Sequence, residues 1–232
     1  MAKNLAADSY ELTGRAEASE RRLELRLVEG RVAPLALAND LLLPVLEPLA
    51  PLFPNGALRR GSVVGVTGTG STSLGLAVAA GPSQAGSWVS LVDDDGEVGL
   101  VAAQELGIAL ERVLVVRPGR EWASTLAGLV GAVDVVVIAG HCSLGQAKAR
   151  RIMARLRERG SVLVAIGHCW PIGADVTLHV ASSDWEGLGR GHGLLQSRRL
   201  SIVGGGKGAA SRPRALDVLA PGPDGAVASL VV

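Results

Sequence analysis

An α/β fold, with a parallel sheet core covered by helices on both faces, is predicted for this chain by three observations. First, hydrophobic residues make up 48% of the 232 positions and aromatic residues only 3%. The interior must therefore be packed from Val, Leu, Ile and Ala, the residues of buried parallel strands and their covering helices. Second, strand-like apolar runs alternate strictly with helical segments through the middle of the sequence, which implies right-handed crossovers. Third, the stretch from Gly61 to Leu74 reads as a buried strand, a glycine-rich turn and the start of a helix. In it Gly65 and Gly70 stand at the spacing of the phosphate-binding pattern G-x-x-x-x-G-K-[ST].

Taken in order, residues 1–34 read as an N-terminal helical arm, 35–220 as the core domain and 221–232 as a C-terminal tail. In the arm, Arg15 to Val28 is charged and amphipathic, with Leu23, Leu25 and Leu27 set among Arg21, Arg22, Glu24 and Arg26. Glu and Arg favour helix, and Gly14 and Gly30 flank the segment. It is either a solvated arm or a partner-binding helix. Leu35 to Leu52 is apolar but broken by Pro44, Pro48 and Pro51, so short helical turns are expected there.

From that point strands are expected at Ser62–Val66, Trp88–Asp93, Arg112–Val116, Val133–Ala139 and Val162–Ile166. Helices are expected between them at Thr72–Gln84, Glu97–Leu106, Glu121–Leu129 and Leu144–Arg159. After Trp170 the character changes. Val176–Ala181, Arg199–Val203 and Ala215–Leu219 leave no room for helices, so they are expected as antiparallel strands at one sheet edge. Gly204-Gly205-Gly206-Lys207-Gly208 reads as a flexible turn.

Charge and cysteine content narrow the function classes. A net charge of +1 carries no overall preference for nucleic acid or anionic membrane, leaving local patches. Two cysteines cannot build a disulfide framework, the first residues lack the build of a secretory signal, and no apolar run is long enough to span a bilayer. A reduced, cytoplasmic protein is the expectation.

A phosphoryl-transfer site of this kind needs backbone amides, a lysine, a hydroxyl, and a strand-end aspartate for magnesium. Gly65, Gly68 and Gly70 offer the amides and Thr72 the hydroxyl, but Ser71 stands where the lysine belongs. The apolar run Val133 to Ile138 ends in Ala139, which cannot support a metal. Removing one partner of a desolvated charge contact typically costs about 2–5 kcal/mol, so two such losses point to weak or absent nucleotide binding. A glycine-rich turn at a helix N-terminus still attracts anions without any side chain.

Asp93, Asp94, Asp95 and Glu97 follow the second strand, either as a helix cap and solvated turn or, for Asp95, as a group that polarises water. Gly140-His141-Cys142 and Gly167-His168-Cys169 repeat a pair of zinc-type ligands, but four alternating side chains would have to converge. Neither a metal nor a cofactor is expected. The helix Leu144–Arg159 concentrates Lys148, Arg150, Arg151, Arg155, Arg157 and Arg159, with Ala149, Ile152, Met153 and Leu156 facing inward. Its outer side, marked by Lys148, Arg151, Arg155 and Arg159, is a solvated face or a contact for DNA or an acidic partner. Candidate partner-binding residues are Leu23 and Leu27 in the arm, Trp185 in a glycine-rich polar loop, and Leu230 and Val231 in the apolar tail.

The order and spacing of Leu58-Arg59-Arg60-Gly61-Ser62-Val63-Val64, the glycine turn, Ser90-Leu91-Val92-Asp93, Leu114-Val115-Val116-Arg117-Pro118 and Ala132 to Val137 resemble bacterial RecA between about Leu46 and Gly225. By position, Ser71 replaces that family's phosphate lysine, Ala139 its metal aspartate and Asp95 its catalytic glutamate. The long DNA-contacting loops of RecA have no counterpart in length between Ala139 and Val162 or between Ile166 and Val176.

Such a core, without those residues or loops, is similar to the ImuA group and its actinobacterial ImuA-prime members. That resemblance implies an accessory protein of damage-induced mutagenesis, without catalysis. Its implied partners are an ImuB-like inactive Y-family polymerase homologue and an error-prone polymerase, with self-association or RecA contact besides, and nucleoid association through those partners. The alternatives are a protein similar to the cell-division inhibitor SulA, or an atypical weak ATPase using Thr72 and Asp95.

Overall fold

The computed structural model describes residues 41–140, 142–167, 170–188 and 192–230. Leu23, Leu27 and Val231, and with them the whole arm, lie outside the described residues, as do His141, His168 and Cys169.

The chain enters through β1 (Leu42–Pro44), which pairs antiparallel with β2 (Ala57–Arg59) across the 3-10 turn Glu47–Leu52. The prolines do shorten the helical structure here as expected, but Leu42–Pro44 within the segment is a strand. A nine-stranded sheet follows, built from β3 (Val63–Gly68), β4 (Val89–Asp93), β5 (Val113–Val116), β6 (Val135–Ala139), β7 (Val162–Ile166), β8 (Val176–Leu188), β9 (Gly193–Gly206), β10 (Arg214–Leu219) and β11 (Ala228–Ser229). Its spatial order is β11-β10-β9-β8-β3-β7-β6-β4-β5. Pairing is parallel from β8 through β3, β7, β6 and β4 to β5, and antiparallel from β8 outward to β11.

Four helices connect the parallel strands: α1 (Ser71–Gln84), α2 (Leu100–Glu105), α3 (Trp122–Leu129) and α4 (Gln146–Arg159). The period-2 alternation of each strand divides its side chains between two layers. Val64, Val66, Leu91, Val135, Val137 and Val164 join α1 and α2 in one core. Val63, Val92, Val136, Ile138 and Leu163 join Trp122 and Leu126 of α3 and Ala149, Ile152 and Leu156 of α4 in the other. α1 is apolar on all sides and buried from Leu74 to Ser83, as a helix in the middle of a core must be. Each large aliphatic side chain buried in these layers contributes about 1.5–3 kcal/mol relative to its exposed state.

Carboxylates at strand ends fix where the strands begin and turn. Asp134 accepts from Arg60 Nη1 at 2.8 Å and from the Trp88 amide at 3.2 Å, tying the start of β6 to β4. Asp175 accepts from the Val63 amide at 2.9 Å, aligning β8 with β3.

Two expectations are corrected in the antiparallel half. Trp185 is not in a loop but in β8, and Gly204, Gly205 and Gly206 are not a turn but the end of β9. Both strands run far past the segments read from apolar content, because their distal residues pair with each other without a core to cover. Residues Ser183 to Leu188 oppose Leu200 to Gly193, a ribbon bent by register shifts at Val180/Ser182 and Glu186/Leu188. β11 extends the sheet from within the tail, and Leu230 beyond it is half-buried.

Candidate functional site: the glycine turn and the α3–α4 groove

The glycine turn is much tighter than a phosphate cradle. β3 continues through Gly68, leaving Thr69 and Gly70 as the whole connection to α1. Gly65, Val66, Thr67 and Gly68 pair with Thr177, Leu178, His179 and Val180 of β8. On the other edge the Val66 carbonyl accepts from the Gly167 amide at 2.7 Å. A phosphate-binding loop works by turning a run of successive amides toward the ligand. Here the backbone that would wrap the ligand is in the sheet ladder.

The glycines at this turn are nevertheless required. Gly68 has φ +95° and a Cβ there would lie 2.3 Å from the Val180 carbonyl oxygen. Gly70 has φ +98°, the left-handed conformation that N-caps α1, and a Cβ there would meet Arg198 Cζ and Leu200 Cδ2, each at 3.0 Å. The glycines thus admit the neighbouring strands, not only a ligand. Ser71 is half-buried and Thr72 exposed at the first turn of α1.

Arg198 brings to this turn a cation that sequence spacing did not reveal. It projects from β9, donates from Nε to Ser183 Oγ at 2.6 Å, and lies over the Trp185 ring at 5.2 Å from its centroid. Burial lowers its pKa from the ordinary guanidinium value. Its only sequence signal would have been the hairpin register that opposes Trp185 to Arg198. Across the β3–β8 pair, Thr67 Oγ1 and His179 Nδ1 are 3.0 Å apart.

The carboxylates after β4 are largely engaged in turns. Asp93 is buried and accepts from the amides of Gly96, Glu97 and Val98 at 3.0, 3.2 and 2.8 Å. That turn delays the helix, so α2 begins at Leu100 behind Gly99 and not at Glu97. Asp94 accepts from the Gly119 amide at 2.8 Å. Asp95 is exposed and reaches Gly140, where a Cβ would stand 2.9 Å from its Oδ2. It therefore sits beside the end of β6, whose last residue is Ala139.

Of the repeated Gly-His-Cys residues, Cys142 is described and is buried, and that burial pushes its thiol up to about 11 from 9.0. β6 and β7, which precede the two repeats, are neighbours in the sheet. Among the described residues no group of His, Cys, Asp or Glu has the arrangement of a metal site.

The basic helix forms a second feature. Ala149, Ile152 and Leu156 of α4 are buried and Met153 is half-buried, while Lys148, Arg151, Arg155 and Arg159 are exposed. Lys148, Arg151 and Arg155 line a groove of about 390 Å³ against α3, with Ala123, Ala127 and Ile152 among its walls. Arg159 does not line it; its aliphatic stem packs across Gly131, where a Cβ would be 2.9 Å from Arg159 Cγ. Arg157 approaches Asp175 at 3.8 Å. The contribution of α3 was missed in sequence, although Ala123 and Ala127, one helical turn apart, are its local signal.

These elements define the class: a RecA-like α/β fold. The chain superposes on the crystal structure of the RadB recombinase with a TM-score of 0.56 and 14% identity, covering 80% of this chain and 97% of that one. The chain belongs to the MT3502 N-terminal domain family, whose model matches residues 51–172. That match contains the glycine turn and the α3–α4 groove and stops before β8. No curated protein matches the sequence. Among the described residues no helix is long and apolar enough to cross a membrane.

Proposed function

We propose that this chain is a non-catalytic RecA-like accessory protein of the DNA-damage response. In this reading it supports error-prone translesion synthesis by binding an ImuB-like Y-family polymerase homologue and the mutagenic polymerase. One observation carries the non-catalytic part: β3 remains paired through Gly68, so the turn before α1 has two residues, and Ser71 and Ala139 stand where a lysine and an aspartate would serve ATP. A scaffold that keeps the sheet and lacks these groups acts by contact. The polymerase partners come from the ImuA resemblance, and the exposed apolar residues Trp185, Leu188 and Leu194 on the β8–β9 ribbon supply surface for such contacts.

The test is affinity purification of the full chain from DNA-damaged cells, with mass spectrometry, beside a variant lacking residues 1–34. Recovery of both polymerase-type proteins by the full chain and their loss from the variant is the expected result. Recovery of neither polymerase, or DNA-stimulated ATP hydrolysis that disappears in Thr72→Ala, overturns the proposal.

A second reading is favoured by Arg198, whose guanidinium stands beside Gly70. It makes the turn a weak binder of nucleotide without turnover, through one side-chain cation and the α1 N-terminus. Calorimetry with Mg-ATP on the full chain and on Arg198→Ala decides it. Heat that vanishes in the variant supports this reading, and identical flat traces remove it.

A further inference from the structure

The α3–α4 groove combines an apolar strip with a cationic wall, and Ser124, which also lines it, donates to the Glu121 carboxylate at 2.9 Å beside it. Ala123, Ala127 and the buried Ile152 provide the apolar part, and Lys148, Arg151 and Arg155 stand beside it. Among the described residues the ion pairs are Arg60–Asp134, Arg157–Asp175 and Arg199–Glu186, and none involves those three cations. Their positions do not serve the helix. Lys148 lies in the first turn of α4, behind the N-cap Gly145, where the helix dipole disfavours a positive charge. Arg151 and Arg155 are four residues apart on one face, a like-charge pair that works against helix stability. By contrast, Arg157 and Arg159 lie in the last turn, where the dipole favours them.

We infer that this groove is the docking site for an acidic amphipathic helix of a partner protein. Its carboxylates would face Lys148, Arg151 and Arg155, and its apolar side chains would enter over Ala123 and Ala127. Charge complementarity selects an acidic occupant. The apolar strip selects a peptide over nucleic acid, because phosphates gain nothing from alanine and isoleucine and the lining carries no aromatic side chain on which bases could stack. The small residues of α3 permit the close backbone approach that helix-in-groove recognition uses. This inference stands independently of the polymerase assignment, since it concerns the chemistry of the occupant and not its name.

The experiment is a display selection of random peptides about 15 residues long, four helical turns, against the purified full chain at physiological ionic strength. The expected winners carry Asp and Glu beside apolar residues at three- and four-residue spacing. Their affinity should fall about tenfold or more in Ala127→Phe, which fills the groove, and in the double variant Arg151→Glu/Arg155→Glu. Replacing the winners' Glu by Lys should restore binding to that double variant. Circular dichroism melting checks that each variant is folded, and Ala123→Leu replaces Ala127→Phe if the latter is not.

An absence of binders, winners without the acidic amphipathic pattern, or affinity indifferent to groove filling overturns the inference. So does tighter binding of a single-stranded or duplex oligonucleotide that the charge reversals abolish and Ala127→Phe leaves unchanged.

Discussion

The two halves of the sheet follow different rules. In the parallel half, β4, β6 and β7 are buried at every position, because helices cover both faces. In the antiparallel half, β8 alternates buried and exposed residues only from Val176 to Ala181, after which its side chains are mostly exposed. The first half is a core closed to change at those three strands, while its edge strand β5 leaves Leu114 and Val115 exposed. The second is a half-covered sheet ending in a ribbon whose Trp185, Leu188, Leu194 and Leu195 are offered to the surroundings. The glycine turn lies on the seam, since β3 is paired with β7 on one side and β8 on the other. A site that must open for a ligand is ill-placed there, because its backbone is held by both halves.

The sharpest way to break this comparison is a matched pair of truncations. Leu163→Ala in β7, fully buried, should cost about 2–5 kcal/mol in urea unfolding. Leu194→Ala in the ribbon, 80% exposed, should stay within about 0.5 kcal/mol. Equal losses would mean the ribbon is as closely packed as the core.

Next in size is the seam. Gly68→Val combines an unfavourable positive φ with a collision against the Val180 backbone, so about 1–3 kcal/mol of stability should be lost. Denaturant unfolding measures it, and an unchanged midpoint would show that β3 and β8 separate readily. Within the ribbon, Trp185→Ala removes the ring beneath Arg198 and should cost about 0.5–1 kcal/mol, read the same way.

A separate effect is a pH dependence in the parallel half. Burial holds the Cys142 thiol neutral up to about 11, whereas the unfolded chain releases that proton near 9.0. The unfolded state therefore binds fewer protons across that window, and the thiol's contribution to stability falls as pH rises from 9.0 toward 11. Alkylation of Cys142, followed by peptide mapping, should remain slow at pH 9.0 in the native protein and become rapid in urea. Rapid native reaction at that pH would contradict the buried thiol.

How much of this was legible depends on the kind of signal. The apolar runs of β4, β6 and β7 and the amphipathic α4 were read from sequence with ends shifted by at most two residues, because burial on both faces or on one stripe leaves a direct imprint on composition. The ribbon was not read, because Ser182 to Glu186 and Gln196 to Arg198 form strands by pairing across the hairpin and bury little apolar surface. The carboxylates from Asp93 read as a helix cap and a solvated turn; a turn is what Asp93 closes, but buried, and the helix begins only after it. The basic face was legible as charge on α4, but the groove was not, since three of its seven lining residues come from α3.

Residue types thus determined the α/β class, the parallel order of helices and strands, and the missing lysine and aspartate at Ser71 and Ala139. These are properties of local periodicity and of single positions. Only tertiary structure decided that the glycine turn is drawn into the sheet by β8, that Arg198 arrives at Gly70, and that Lys148, Arg151 and Arg155 share a groove with Ala123 and Ala127. Each of those depends on strands or helices meeting across a long stretch of chain, and register between distant elements is set by packing that no local pattern encodes.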